Sequence, residues 1–247
     1  MTLDVSTLLI VFAGAACGGF VNGLAGFGTA LFALGWWLQV MPPATAVPVV
    51  LAMSVIAGLQ GVIVVRSAIH WPRLLRFLIP ALLTVPLGVA LLPHVDARPL
   101  KLVIAAFLVL YGAFFAFRRD LPEITRPTHA IDVAIGAASG FIGALAGLSG
   151  ALPTMWASMR AWGKAERRAL LQPFNVVILA VSFLGVAVTG GVTREVLITI
   201  AVALPVTLLS AQVGLLAFTR LTDDQFRRLL ILLMLVSGLV LAVRELV

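Results

Sequence analysis

The stretch Gly19-Phe20-Val21-Asn22-Gly23-Leu24-Ala25-Gly26-Phe27-Gly28-Thr29-Ala30-Leu31 decides the fold. It sits in an apolar run from 6 to 40, whose 35 residues far exceed the roughly 20 needed for one membrane crossing. The stretch is written again as Gly140-Phe141-Ile142-Gly143-Ala144-Leu145-Ala146-Gly147-Leu148-Ser149-Gly150-Ala151-Leu152, at an offset of 121 and with seven of thirteen residues identical. Biased composition alone gives roughly one or two identities. The second copy also lies in a long run, 131 to 159. Two long apolar segments, each interrupted by glycines near its middle, predict two broken helices in a duplicated membrane protein.

The rest of the chain agrees. Of its 247 residues 62% are apolar and 11% charged, and the mean hydropathy is +1.14. A soluble domain carries roughly 25% charged residues, so this composition excludes one and leaves no stretch for an extramembrane catalytic module. Glycine, proline and charge divide the chain into eight apolar segments: 6–40, 44–65, 74–93, 99–117, 131–159, 169–191, 196–219 and 226–244. The net charge of +7 does not point to nucleic acid, because the basic residues sit in short connectors between those segments. Cys17 is the single cysteine, which excludes an intrachain disulfide and a multi-cysteine metal site. Met1-Thr2-Leu3-Asp4 has no basic n-region, so the first run is expected to be a retained span and not a signal peptide.

Beyond the motif the repeat persists with small gaps, pairing Pro48 with Pro173, Gly88 with Gly214, Lys101 with Arg227 and Gly112 with Gly238. A single membrane domain, 1–247, is expected to hold repeat 1 (1–120), a cytoplasmic linker (121–127) and repeat 2 (128–247). Orientation follows from lysine and arginine, which keep short loops in the cytoplasm. If the two long segments fold back as hairpins, 13 of the 17 basic residues fall on one side, with only Arg98, Lys101, Arg194 and Arg244 on the other. If each segment crosses once, the split is 9 to 8 and specifies nothing. The expected fold is therefore all-α integral membrane, with two inverted repeats, each a broken-helix hairpin followed by three transmembrane helices. Both termini are then periplasmic.

A helix interrupted in lipid leaves N–H and C=O groups unpaired, and the break survives only where protein, water or a ligand satisfies them. The N-terminal end of the following half-helix presents free N–H groups and a partial positive charge, which suits an anion without lysine or arginine. Gly23, Gly26, Gly28, Gly147 and Gly150 are expected to let the backbone approach a ligand, with Asn22, Thr29 and Ser149 adding side-chain donors. Gly19 and Gly140 read better as helix-packing residues. Gln60, Thr84, Gln172, Ser182, Ser210 and Gln212 read as interhelical hydrogen-bonders. Asn175, close behind Gln172-Pro173-Phe174, is a candidate pathway residue. The five tryptophans, Trp36, Trp37, Trp71, Trp156 and Trp162, are expected as interfacial anchors, with Trp156 near enough to the second motif to reach an organic group. The stretches 6–65, 77–95, 102–117, 133–159, 169–193 and 196–219 contain no Asp, Glu, Lys or Arg, which argues against a carboxylate proton relay.

Gly147-Leu148-Ser149-Gly150 also fits the GxSG pattern of rhomboid-type intramembrane serine proteases. Such a serine needs a histidine base from a later span, whereas His70, His94 and His129 all precede it and lie in or beside connectors. No enzyme and no cofactor is expected.

With these two motifs in a two-repeat polytopic chain, the sequence resembles the sulfite exporter TauE/SafE family over nearly its whole length. It departs from the family's usual glycine-rich form where Thr29 and Ala30 follow Gly28, and where Ser149 stands in place of a frequent glycine. The resemblance implies movement of sulfite, sulfoacetate or other sulfur-containing or organic anions across the bacterial inner membrane. The expected function is a secondary transporter exporting a small oxyanion, a sulfite, sulfonate or related carboxylate, by alternating access. An anion channel and a membrane scaffold or assembly factor are the alternatives. Expected partners are the small anionic substrate and the lipid bilayer, with homodimer formation allowed.

Overall fold

The computed structural model describes residues 4–117 and 124–222, with scattered positions between 225 and 243. Among the described residues every regular element is helical: α1 (Val5–Ala25), α2 (Thr29–Trp37), α3 (Pro43–Val65), α4 (Trp71–Leu91), α5 (Ala97–Phe117), α6 (His129–Ala146), α7 (Ala151–Ser158), α8 (Lys164–Val188) and α9 (Arg194–Arg220). Seven of them, all but α2 and α7, are long and apolar enough to cross a membrane. The protein is a multi-pass, all-helical membrane protein. Most of the expected segment 226–244 lies outside the described residues, as do linker positions 121–123 and Arg118, Arg119, Arg227 and Arg244.

α1 starts from Asp4, whose carboxylate accepts from the Ser6 hydroxyl at 2.6 Å and the Thr7 amide at 2.8 Å. Those bonds satisfy an orphan donor of the first turn and hold the Asp4 carboxyl below its ordinary pKa. The helix then rises about 31 Å, enough for a full crossing. It stops at Gly26, and α6 stops at Gly147, the same position of the repeated motif. Both glycines are left-handed, with φ of 81° and 70°, where a Cβ is penalised. Each turns its N–H back four residues at 2.7 Å, Gly26 to the Asn22 carbonyl and Gly147 to the Gly143 carbonyl.

The chain re-enters a helix at once, but α2 has nine residues and α7 eight, about half a crossing. Both run back along the helix just left. Trp37 Nε1 donates to the Val11 carbonyl at 3.0 Å, and Trp156 Nε1 donates to the Asp132 carboxylate at 2.7 Å. Val11 and Asp132 stand 121 residues apart, the offset of the repeat. Each long apolar segment is thus a full-length helix with a half-length return. The interfacial role expected of Trp37 and Trp156 is corrected here: both are buried, because an indole N–H inside an apolar bundle needs a partner and the long helix supplies it. Trp36 and Trp71 are exposed.

Packing crosses between the halves. α1 lies on α9, α6 lies on α4, and α3 lies on α8. Small residues let the backbones touch. A Cβ on Gly19 would fall 2.5 Å from the Thr207 carbonyl oxygen, and one on Gly140 would fall 2.0 Å from that of Ala81. The reverse contacts match, with Gly214 against the Phe20 carbonyl and Gly88 against the Phe141 carbonyl. On the far faces of α4 and α9, Leu83, Leu87, Leu209 and Val213 are exposed, as lipid-facing residues should be.

Two charges flank the uncharged stretches 133–159 and 169–193 and are nevertheless buried. Asp132 in the first turn of α6 and Arg168 in α8 are buried. The helices extend beyond the apolar segments, α8 starting at Lys164 and α6 at His129, so Arg168, just before segment 169–191, becomes a helix residue, and Asp132 stands at the start of segment 131–159 in the first turn of α6. Asp132 takes Arg76 at 3.1 Å, Arg160 at 3.5 Å and the Trp156 indole. Arg160 also donates to the Ile124 and Arg126 carbonyls and the Thr128 hydroxyl, and it stacks on Trp156 and Trp162. Burial of these charges is tolerable because each finds an opposite charge or a carbonyl. The network ties the end of the α6–α7 hairpin to α4 and to the inter-half linker.

Candidate functional site

The two helix breaks meet. A Cβ on Gly150 would lie 2.5 Å from the Cβ of Phe27, and one on Gly147 would lie 2.9 Å from Ala30 and 2.7 Å from Val50. Phe27 stands between Gly26 and Gly28, so its contact joins the turn of the first hairpin to the turn of the second. Its ring also approaches Tyr111 of α5, centroid to centroid at 6.1 Å.

From these turns α2 starts at Gly28 and α7 at Gly150, neither with a side-chain cap. In α2 the first turn offers the N–H groups of Thr29, Ala30 and Leu31, whereas in α7 Ala151 already donates to the Leu148 carbonyl at 3.2 Å and Pro153 has no N–H, which leaves that of Leu152. Such first-turn N–H groups are donors of the kind that bind anions. Each break brings its own polar pair. Asn22 Nδ2 donates to the Thr29 hydroxyl at 2.7 Å and to the Ser54 carbonyl at 3.3 Å, while Ser149 donates its hydroxyl proton to Asn175 Oδ1. Asn22, Thr29, Ser149 and Asn175 are all at most 2% exposed. Asn22 Oδ1 and the Ser54 hydroxyl are buried without a hydrogen-bond partner. The partner of Ser149 is an amide oxygen, which cannot serve as the base a serine nucleophile requires.

Eight of the nine residues expected at a site thus gather around the breaks: Asn22, Gly26, Gly28, Thr29, Gly147, Ser149, Gly150 and Asn175. Gly23 faces elsewhere. A Cβ there would fall 1.9 Å from the Ala211 carbonyl oxygen, so its missing side chain makes room for α9.

Two neighbours were not read as site residues from the sequence. Gln172 fills the space beside Gly26 and Gly61 and donates to the Gly58 carbonyl at 3.0 Å. Arg168 donates to the carbonyls of Gly23 at 2.8 Å and Leu24 at 3.2 Å, which are orphan acceptors of the last turn of α1. The signal for both was their spacing, four and seven residues along one helix face from Arg168 to Gln172 and Asn175.

Two half-helix N-termini, hydroxyls and amides make a centre that carries donors and, among the described residues, no carboxylate, which suits an anion. A family model described as Sulfite exporter TauE/SafE matches residues 10–241. No curated protein and no solved structure matches the chain. With its match running through both helix breaks and nearly end to end, the chain belongs to the sulfite exporter TauE/SafE family of membrane transporters.

Proposed function

We propose that this protein exports a small oxyanion, sulfite, a sulfonate such as sulfoacetate, or a related carboxylate, across the bacterial inner membrane, holding it between the two helix breaks. The carrying observation is the contact of the breaks through Phe27 and Gly150, which aims two uncapped half-helices at one region. An anion there replaces water as the partner of the orphan N–H groups, and the helix dipoles offset part of its lost hydration. The reciprocal packing of α1 on α9 and α6 on α4 supports two inverted repeats that exchange roles as the centre opens to either side. Burial of Asn22, Thr29, Ser149 and Asn175 favours such a carrier over an open channel, since a conducting pore keeps its lining wet.

An inside-negative potential drives an anion outward with about 2.3 kcal/mol per charge per 100 mV, or roughly 50-fold in concentration ratio. Export then needs no coupling ion. The test is sulfite flux in proteoliposomes whose potential is set by potassium and valinomycin, at fixed pH and without sodium. Saturable flux that follows the imposed potential is expected. Flux that ignores the potential but requires a proton or sodium gradient sinks the uncoupled mechanism, and absence of flux and counterflow for every oxyanion tried sinks the transport reading.

A further inference from the structure

α8 carries three polar side chains on one face, Arg168, Gln172 and Asn175, each at most 3% exposed. Along the seven residues from first to last the helix rises about 10 Å. At the inner end, Asn175 accepts from Ser149 at the second break. In the middle, Gln172 presses on Gly26 of the first break, and its Oε1 is buried with no partner. At the outer end, Arg168 spends Nη1 and Nη2 on the α1 carbonyls and stacks on Phe218 at 4.0 Å, while its Nε is buried without a partner. Among the described residues no carboxylate forms a salt bridge with it. A buried guanidinium ordinarily faces a carboxylate, because carbonyl dipoles alone leave its charge uncompensated.

The neighbours of Arg168 place this outer end with the other basic residues. It sits two residues along α8 from Glu166, which pairs with Arg73, and Arg73 stacks on Trp162 beside the Arg160 network. That is the end of the bundle to which the charge bias assigns the cytoplasm.

We infer that Arg168, Gln172 and Asn175 form the cytoplasm-side track along which the anion reaches the two helix breaks, with Arg168 as its first charged station. The inference rests on the transport reading above and adds residues that reading does not require. An anion leaving water for an apolar bundle loses hydration worth many kcal/mol, and a fixed cation with a spare donor at the mouth offsets that loss. The Gln172 amide is the next donor inward, its Nε2 leaving the Gly58 carbonyl it now holds at 3.0 Å and its unpartnered Oε1 turning away from the anion. The Ser149–Asn175 pair receives the anion at the centre. As Arg168 takes the anion it gives up the Gly23 and Leu24 carbonyls, so arrival of the substrate loosens the last turn of α1 and frees the first hairpin.

The test uses the full chain in right-side-out and inverted membrane vesicles, with sulfite as the probe and half-saturation measured separately at each face. Arg168→Gln is expected to raise the half-saturating concentration at the cytoplasmic face by about tenfold or more, as for loss of a charged hydrogen bond, and to leave the opposite face unchanged. Arg168→Lys keeps the charge and should fall between. Gln172→Glu leaves Arg168 in place but hands it an internal carboxylate one turn away, and should give the same one-sided rise even where Arg168→Gln does not fold. Half-saturation unchanged at both faces, or raised equally at both, overturns the track while sulfite flux by the wild type leaves the transport reading standing. Failure of all three variants to fold also overturns it, by making the face structural. A wild type without flux overturns both readings.

Discussion

Ser149 and Gly147 are two residues apart in one motif and should fail in different ways. Ser149→Ala removes a hydroxyl that can turn from Asn175 toward a ligand, and Asn22→Ala removes the amide that spans Thr29 and Ser54. Each is expected to keep the fold and weaken sulfite binding by about tenfold or more, since a hydrogen bond to a charged group contributes about 1.5 to 3 kcal/mol. Counterflow against sulfite concentration reads this directly, and unchanged half-saturation in both variants would remove the motifs from the site. Gly147→Ala instead puts a Cβ on a residue with φ of 70° and against Val50 and Ala30. Its expected effect is on stability, about 1 to 2 kcal/mol from the backbone strain alone, seen as a lower Tm in detergent. The glycine breaks were legible because left-handed turns all but demand glycine, and a duplicated motif shows the demand twice. Arg168 was not, because an arginine at the edge of an apolar run looks like a loop residue until the partner carbonyls, 144 and 145 positions away, are known.

At the scale of the element, the two hairpins share a geometry and differ in chemistry. The return of the first is held by an indole on a neutral carbonyl, that of the second by an indole on a carboxylate already shared with two arginines. Asp132→Ala leaves Arg160 buried without its counter-ion, and removal of one partner from such a pair costs about 3 to 5 kcal/mol. The variant should lose much of its thermal stability in detergent, whereas Trp37→Phe, which removes one extra hydrogen bond from a carbonyl still held in the α1 ladder, should cost about 0.5 to 1.5 kcal/mol. Equal Tm losses in the two would mean that charge adds nothing to the second hairpin. That each long segment turns back was legible in the balance of lysine and arginine. The tryptophan anchors were not, since an indole at the end of an apolar run fits a lipid interface as well as a buried carbonyl.

For the whole molecule, the charge bias requires the inter-half linker and the connector between α7 and α8 to share the cytoplasmic side. Thr125 and Ala165 are exposed there, and single cysteines at these positions in a Cys17→Ser background should both react with an impermeant maleimide added from that side. Reaction from opposite sides would end the inverted-repeat reading. The matching glycine turns at 26 and 147 were legible as an offset of 121, but the exchange of packing partners was not, because local sequence does not say which distant helix a glycine face will meet. That swap has a consequence for synthesis. The contact of Gly140 with Ala81 closes over 59 residues, and that of Gly19 with Thr207 over 188. At about 5 to 20 residues per second, α1 is inserted roughly 10 to 40 s before its partner α9 exists. Through that interval the Gly19 and Gly23 face of α1 has only lipid or a chaperone against it, so a helix made early is finished late, and a nascent chain stalled before α9 is a substrate for quality control whatever the soundness of the eight helices before it.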